Sequence, residues 1–388
     1  MTKICFITTV SITLKSFLLD FAEYLHGTGR YEITFVCNPD DEFAAMLPSY
    51  VVFEPIEMRR GIDIKGIAAV GELTALFRKE RFDIVQYSTP NAAFYASIAA
   101  KRAQVPVRLY CQWGIRYMGL SGLPRAIFRR IEKTVCSNST AIEAESENIR
   151  EFAISEGLYE VDKCVVVWNG SACGVNLFKF DIDKREEWRR DVRNNYGFGP
   201  DDVVFAFAGR LTADKGVNEL LGAFLGLSED DPHVRLLVMG SMDNYGSLDS
   251  GLFDRARHTA AVVFAGQVSD MERHYAAADV FVAPSYREGF GLVVVEAEAM
   301  GLPALVSNVP GQIDAIDPGV TGLAFEVKST ESLRLAMGRL ASNRNLRERM
   351  GEAAARYAAE HYEQTELFRR LELMRTEYVE YERGGRCE

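Results

Sequence analysis

The most constraining property of this sequence is the alternation of short apolar runs with stretches of helical periodicity. Lys3 to Val10 reads as a strand. Ser11 to His26 follows with Leu14, Phe17, Leu18, Phe21 and Leu25 on one face, and Gly27 and Gly29 close it. Tyr31 to Cys37, Val51 to Phe53, Asp83 to Tyr87 and Val107 to Cys111 repeat the strand pattern. Ile67 to Lys79 and Ala92 to Ala103 repeat the helical one, and Thr140 to Glu156 leads to a strand at Cys164 to Trp168. Tight two-residue hairpin turns are few, so the expectation is an α/β protein with doubly wound parallel sheets. At 388 residues the chain is too long for one ordinary core and suits two domains.

Asn169-Gly-Ser-Ala-Cys-Gly174-Val-Asn176 is small and glycine-rich and precedes a polar stretch to Pro200. It reads as a crossing, which gives domains at 1–172 and 201–362, a linker at 173–200, and a last helix, 363–388, returning towards the first domain. The second domain opens with a strand, Asp202 to Ala208, then Gly209-Arg210-Leu-Thr-Ala-Asp214-Lys215-Gly216 and a helix from Val217 to Leu225. Asp214 is expected as its N-cap, with Lys215 in the first turn and Arg210 just outside. Cations near a helix N-terminus are unfavourable unless an anion joins them. Arg210 and Lys215 therefore fit a diphosphate, Arg by bidentate hydrogen bonds and Lys as a point charge.

Further on, Asp279-Val-Phe-Val-Ala-Pro284 reads as a strand, Ser285-Tyr-Arg-Glu288-Gly-Phe-Gly291 as a loop, and Leu292 to Met300 as a helix ended by Gly301 and Pro303. Gly289 and Gly291 leave the loop backbone bare, and the opening amides of the helix lack intrahelical partners, which together suit an oxygen-rich anion. Glu296 is flanked by valines and alanines, so its carboxylate is expected to be buried and to need donors, either hydroxyls or a salt-bridging cation. Glu298, about 200° further round the helix, reads as structural.

Glu-Gly-Phe-Gly with a second Glu eight positions after the first resembles the signature of retaining glycosyltransferases of family 4, which have the GT-B fold: two Rossmann-like domains facing a cleft. Arg210 and Lys215, five positions apart, match that family's pair at the start of the donor domain. The resemblance implies that Gly209, Gly240, Ser241, Gln267 and Val268 lie on donor loops, the last four near the nucleotide base. It further implies that Glu288 meets a donor-sugar hydroxyl beside Gly289, Phe290, Gly291 and Leu292, and that Glu296 meets the ribose. Glu288, Arg210 and Lys215 would then carry the reaction: departure of a nucleoside diphosphate, expected to be UDP, without a metal or other cofactor. The chain departs from the family at Trp113, where relatives carry His, at Gln86-Tyr-Ser88, at Asn176 in place of Asp, and in a first loop without Gly-Gly. Ser11, Gln86, Trp113 and Arg116 are the acceptor-side candidates. Similarity to enzymes that build capsule, O-antigen or exopolysaccharide units implies a polyprenyl-diphosphate-linked saccharide acceptor.

Composition narrows the partners. The net charge of −11 speaks against nucleic acid. Residues 101 to 133 nevertheless hold eight basic residues against one acid, Glu132, a local charge of +7. There Leu120, Leu123, Ile127, Phe128 and Ile131 interleave with the arginines, a pattern shared by helices on anionic lipid and by ordinary amphipathic helices. Seven cysteines without metal-ligand spacing, no run long enough to span a membrane and no signal-like start give the expectation of a cytoplasmic protein, peripheral on the inner face of the plasma membrane. Asp181-Ile-Asp183 spells a metal motif of another fold, but without a preceding strand it reads as coincidence. A nucleotide-sugar 2-epimerase of the same fold and a catalytically inactive sugar-binding protein remain as alternatives. A dinucleotide oxidoreductase would want a GxGxxG in the first loop, which is absent.

Overall fold

The computed structural model describes residues 1–58, 64–241 and 247–384, and these divide into two units. The first combines Met1–Cys173 with Thr365–Glu388, and the second is Gly174–Gln364.

The first unit is built on seven parallel strands: β1 (Thr2–Ile7), β2 (Tyr31–Cys37), β3 (Val51–Pro55), β4 (Ile84–Tyr87), β5 (Val107–Gln112), β6 (Ala141–Ala144) and β7 (Cys164–Val165). They run in the order β3-β2-β1-β4-β5-β6-β7. Period-two alternation splits their side chains between two faces. Cys5, Ile7, Val85, Tyr87 and Tyr110 join one core, while Phe6 on the other face packs edge-on against Phe21 and Phe35. The first expected helix is two, α1 (Ser11–Phe17) and α2 (Leu19–Gly27), divided at Leu18, where no proline or glycine marks the break. Further helices are α3 (Asp41–Met46), α4 (Ile64–Glu80), α5 (Pro90–Arg102), α6 (Gly122–Asn138) and α7 (Glu147–Ser155). Ala141 to Ala144 falls inside the stretch from Thr140 read as leading to the next strand; with a single β-branched residue, Ile142, it carries almost no strand signal of its own.

The second unit has six parallel strands: β8 (Val203–Ala208), β9 (Val234–Met239), β10 (Val262–Gly266), β11 (Val280–Ala283), β12 (Ala304–Ser307) and β13 (Gly322–Phe325). Their order is β10-β9-β8-β11-β12-β13. On β8, Val203, Phe205 and Phe207 enter one core and Val204 and Ala206 the other. Both faces are covered by helices: α8 (Arg185–Tyr196), α9 (Val217–Asp230), α10 (Ser250–Arg257), α11 (Met271–Ala277), α12 (Leu292–Ala299), α13 (Thr330–Ala341) and α14 (Arg344–Tyr362). Residues 174–200, read from sequence as a linker, belong to this unit. They carry α8, whose Arg189 and Arg193 grip Asp279 at 2.6 Å each, so the polar composition that resembled a linker is the outer surface of a docked helix.

The last helix, α15 (Gln364–Gly384), packs on the first unit. Phe368 meets Phe21 with ring centroids 5.1 Å apart, and Tyr31 donates to Glu372 at 3.1 Å. Arg375, 1% exposed, donates to Glu143 at 2.8 Å and Gln86 at 2.9 Å.

Candidate active site

In both sheets the strand order reverses beside the first strand, and in open α/β sheets ligands bind beyond the carboxyl ends of the strands at that point. In the second unit the reversal lies between β8 and β11, whose following loops carry Arg210 with Lys215 and Glu288 with the glycines. Gly209 and Gly240 close the adjacent strand ends. Gly240 (φ +143°) runs so near Gly209 that a Cβ there would stand 1.8 Å from the Gly209 carbonyl oxygen. Its amide donates to the Gly266 carbonyl at 2.7 Å, and Leu211 donates to the Ser241 carbonyl at 3.2 Å. The bare backbone at these positions lets three strand ends converge.

Lys215 and Glu288 meet directly. Lys215 Nζ forms an ion pair with Glu288 Oε1, which also accepts from Ser285 Oγ at 2.9 Å. Glu288 Oε2 has no protein donor among the described residues, which leaves it for a hydroxyl. Arg210 is exposed and makes no side-chain hydrogen bond or ion pair among the described residues, so its fork of donors is unspent. Asp214 does not cap the following helix. It lies in a 3₁₀ turn, Ala213–Lys215, and accepts from Thr212 Oγ1 at 2.6 Å. Gly216 (φ +71°) takes the N-cap position instead, because any Cβ there would stand 1.9 Å from the Pro284 carbonyl oxygen. This contact locks the Lys215 turn onto the end of the β11 segment.

The glycine loop rests on a second support that spacing alone did not disclose. Gly311 (φ +84°) lies so close under the loop that a Cβ would meet the Gly289 and Glu288 carbonyl oxygens at 2.4 and 2.5 Å. Gln312 Nε2 donates to the Ala283 carbonyl at 2.6 Å. Tyr286 donates to Glu219 at 2.7 Å and lies under Lys328. Gly291 (φ +97°) caps α12, so the amides of 289–292 open that helix. Phe290, expected among the ligand contacts, is buried and packs on Tyr362 at 5.0 Å; only its backbone belongs to the loop surface. Leu292 and Val268 are half-buried, and Gln267 is exposed at the end of β10.

Glu296 is half-buried on α12 and has no ion pair among the described residues. Burial of its carboxyl pushes its pKa up to about 7, against the pull of Lys179 and of the Tyr275 hydroxyl. Neither a salt-bridging cation nor a protein hydroxyl within hydrogen-bond distance completes the carboxyl, since the buried Tyr275 hydroxyl makes no hydrogen bond among the described residues. Tyr275 was missed in the sequence because it comes from α11, twenty-one residues before Glu296 with no shared spacing. Glu298 is fully buried beside Thr321, with burial raising its pKa well above the usual range, a core position as expected.

The acceptor-side candidates scatter. Ser11 donates to Asp40 at 2.5 Å, and Trp113 packs on Phe17 at 5.2 Å. Arg116 stacks over Phe128 at 4.4 Å. Gln86 is a correction: it is 2% exposed with its Oε1 taken by Arg375, which makes it part of a core network and not an open binding group. Among the described residues no group of three or more His, Cys, Asp or Glu side chains stands together as metal ligands, and Asp181 is occupied in capping a turn and pairing with Lys184. The six described cysteines are buried; Cys387 lies outside the described residues.

Residues 189–357 match the family described as glycosyl transferases group 1, and residues 3–146 match the glycosyl transferase 4-like family. The capsular polysaccharide biosynthesis glycosyltransferase CapM of Staphylococcus aureus is 30% identical over 348 residues, 89% of this chain and 88% of the relative. An N,N'-diacetylbacillosaminyl-diphospho-undecaprenol alpha-1,3-N-acetylgalactosaminyltransferase of Campylobacter jejuni is 26% identical over 78% of this chain and 79% of its own length. Among solved structures, Anabaena HepE in complex with UDP and glucose superposes with a TM-score of 0.79 at 17% identity, over 97% of this chain and 100% of that one. Two parallel-stranded α/β units, the paired donor-loop motifs and these full-length matches agree: the chain belongs to the glycosyltransferases of the group 1 and 4-like family and has the GT-B fold.

Proposed function

We propose that this glycosyltransferase moves a hexosyl or N-acetylhexosaminyl unit from a UDP-linked donor to a polyprenyl-diphosphate-linked saccharide, with retention of configuration and without a metal, in the assembly of a bacterial surface polysaccharide. The observation that carries the reading is the meeting of Lys215 and Glu288 from two loops on either side of the strand reversal. The names of the capsular and undecaprenol-linked relatives support the acceptor class, and the UDP and glucose held by the Anabaena protein support the donor class.

In this reading Arg210, Lys215 and the amides of residues 289–292 meet the charge that develops on the departing diphosphate. Glu288 orients Lys215 through Oε1 and offers Oε2 to a sugar hydroxyl. Glu296 and Tyr275 face the ribose, and Gly240, Ser241, Gln267 and Val268 line the base. Ser11, Trp113 and Arg116 remain the acceptor-side residues, and α6 is the contact with an anionic membrane on its cytoplasmic side.

Incubation of the full chain with UDP-, GDP- and ADP-sugars in EDTA, with release of the diphosphate followed, tests this. One nucleotide sugar is expected to be turned over, and Glu288→Ala and Lys215→Ala are each expected to slow release by about 10²-fold or more. Turnover that needs added Mg²⁺, or that is unchanged in both variants, would overturn the reading.

A further inference from the structure

The second unit has a cleft of about 770 Å³ at the amino-terminal end of its sheet, lined by Asp202 before β8, Asp279 before β11 and Gly301 before β12. The donor loops leave the other ends of β8 and β11, so this cleft is separate from them. Four arginines line it: Arg185, Arg189, Arg344 and Arg347.

Two of the four are accounted for by the fold. Arg189 donates to the Ala278 carbonyl at 2.8 Å and to Asp279 at 2.6 Å, while Arg193 behind it takes the other Asp279 oxygen at 2.6 Å. Arg344 is held by Glu348 at 2.7 Å. The other two have donors to spare. Arg185 makes one hydrogen bond among the described residues, a long one of 3.4 Å to the Ala278 carbonyl, and its Nε is buried with no acceptor. Arg347 spends one nitrogen on the Leu340 and Ala341 carbonyls, at 2.5 and 2.7 Å, and has no carboxylate partner among the described residues. Burial, and then neighbouring Arg189, pushes the Arg185 guanidinium down; burial does the same to Arg347, against the pull of Asp279.

Both residues are half-buried, and a guanidinium with a buried, unsatisfied donor such as Arg185 Nε is a costly arrangement unless an anion completes it. Asp279 already serves two arginines and Asp202 pairs with Arg235 at 3.1 Å, so neither floor carboxylate is left for Arg185 or Arg347. The rim is different: Glu186, Asp201 and Glu352 are exposed carboxylates. They would repel a bare polyanion but accept hydrogen bonds from hydroxyls. We propose that this cleft binds a phosphate monoester of a sugar or similar polyol, its phosphate on Arg185 and Arg347 and its hydroxyls towards the acidic rim.

Isothermal titration of the full chain at constant ionic strength with glucose 6-phosphate, inorganic phosphate and glucose tests this. Glucose 6-phosphate is expected to saturate one site per chain, more tightly than inorganic phosphate, and glucose is expected not to bind. Arg185→Gln and Arg347→Gln should each weaken the ester by about tenfold or more, the loss of a charge-assisted hydrogen-bonded pair. Lys215→Ala should leave it unchanged, and Glu352→Gln should weaken the ester while sparing inorganic phosphate. If circular dichroism shows Arg185→Gln misfolded, Arg347→Gln decides. No saturable binding, or binding lost in Lys215→Ala and kept in both arginine variants, overturns the proposal, and equal affinity for phosphate and ester overturns its polyol half.

Discussion

At Glu296 the balance between burial and ligand chemistry has a measurable sign. Its carboxyl has an unfolded pKa of 4.5 and a folded value of about 7, so the folded chain holds the proton more tightly. The stability this contributes is fully present below pH 4.5 and is lost as pH rises through about 7. Glu296→Gln should therefore melt like the parent at pH 4.5 and be more stable at pH 8 by about 1–3 kcal/mol, a figure lowered from the full shift because the residue is half-buried. Parallel melting curves across that range would refute the assignment. Hydroxyls donated by a bound ribose favour the ionised form, so UDP should bind more tightly as pH rises through about 7, with a proton released in calorimetry in buffers of different ionisation enthalpy. The need for donors around Glu296 was legible from its valine and alanine neighbours. Tyr275 was not, since proximity between separate elements leaves no periodic trace. Phe290 turns its side chain into the core, which its motif position did not show, since a motif position says which backbone is near a ligand and not where the side chain turns.

At the scale of loops and helices, the proposed donor site depends on close backbone approaches that only glycine permits. Gly311→Ala sets a Cβ against two carbonyl oxygens at a left-handed φ, and should cost about 1–3 kcal/mol and weaken nucleotide binding, measured by melting with and without UDP. A variant with unchanged melting and affinity would show that the Glu288 loop does not rest on it. The sequence shows a glycine at 311 but not what it touches. Helix α6 makes a similar point about charge. Of its arginines, Arg125 and Arg129 hold Glu156 at 2.9 and 3.1 Å, and Phe128 and Ile131 turn half inward. Leu123 at 73% and Ile127 at 47% exposure remain outside, one turn apart, followed by exposed Arg130 and Lys133. Vesicles containing anionic lipid should retain the full chain in flotation, and Leu123→Asp with Ile127→Asp should release it. Equal recovery with neutral vesicles, or no effect of the double substitution, would leave α6 an ordinary surface helix. No helix among the described residues is long and apolar enough to cross a membrane.

For the molecule as a whole, alternating strands and helices were enough to read two parallel sheets, because each strand is buried on both faces and stands out as an apolar run. The boundaries were harder to read, since a docked helix with a charged outer side, α8, has the composition of a linker. α15 ties sequence positions some 230 residues apart through Arg375 and Glu143, which are 1% and 7% exposed. Removing one partner of such a buried pair costs about 3–5 kcal/mol, a large part of the 5–15 kcal/mol typical of a folded domain. Truncation after Gln364 should therefore abolish cooperative melting of the first unit, while the second, continuous from Gly174 to Gln364, keeps its transition and its affinity for UDP. Two intact transitions in the truncated chain would show that α15 is dispensable. The same discontinuity sets an order of events on the ribosome. Residues 1–173 emerge first but lack a helix their core requires, the second unit can condense while they wait, and the first is finished only when α15 clears the exit tunnel. A chain whose translation stops early would then leave Phe21 of α2 without Phe368 over it, an exposed apolar mark for chaperones and proteases.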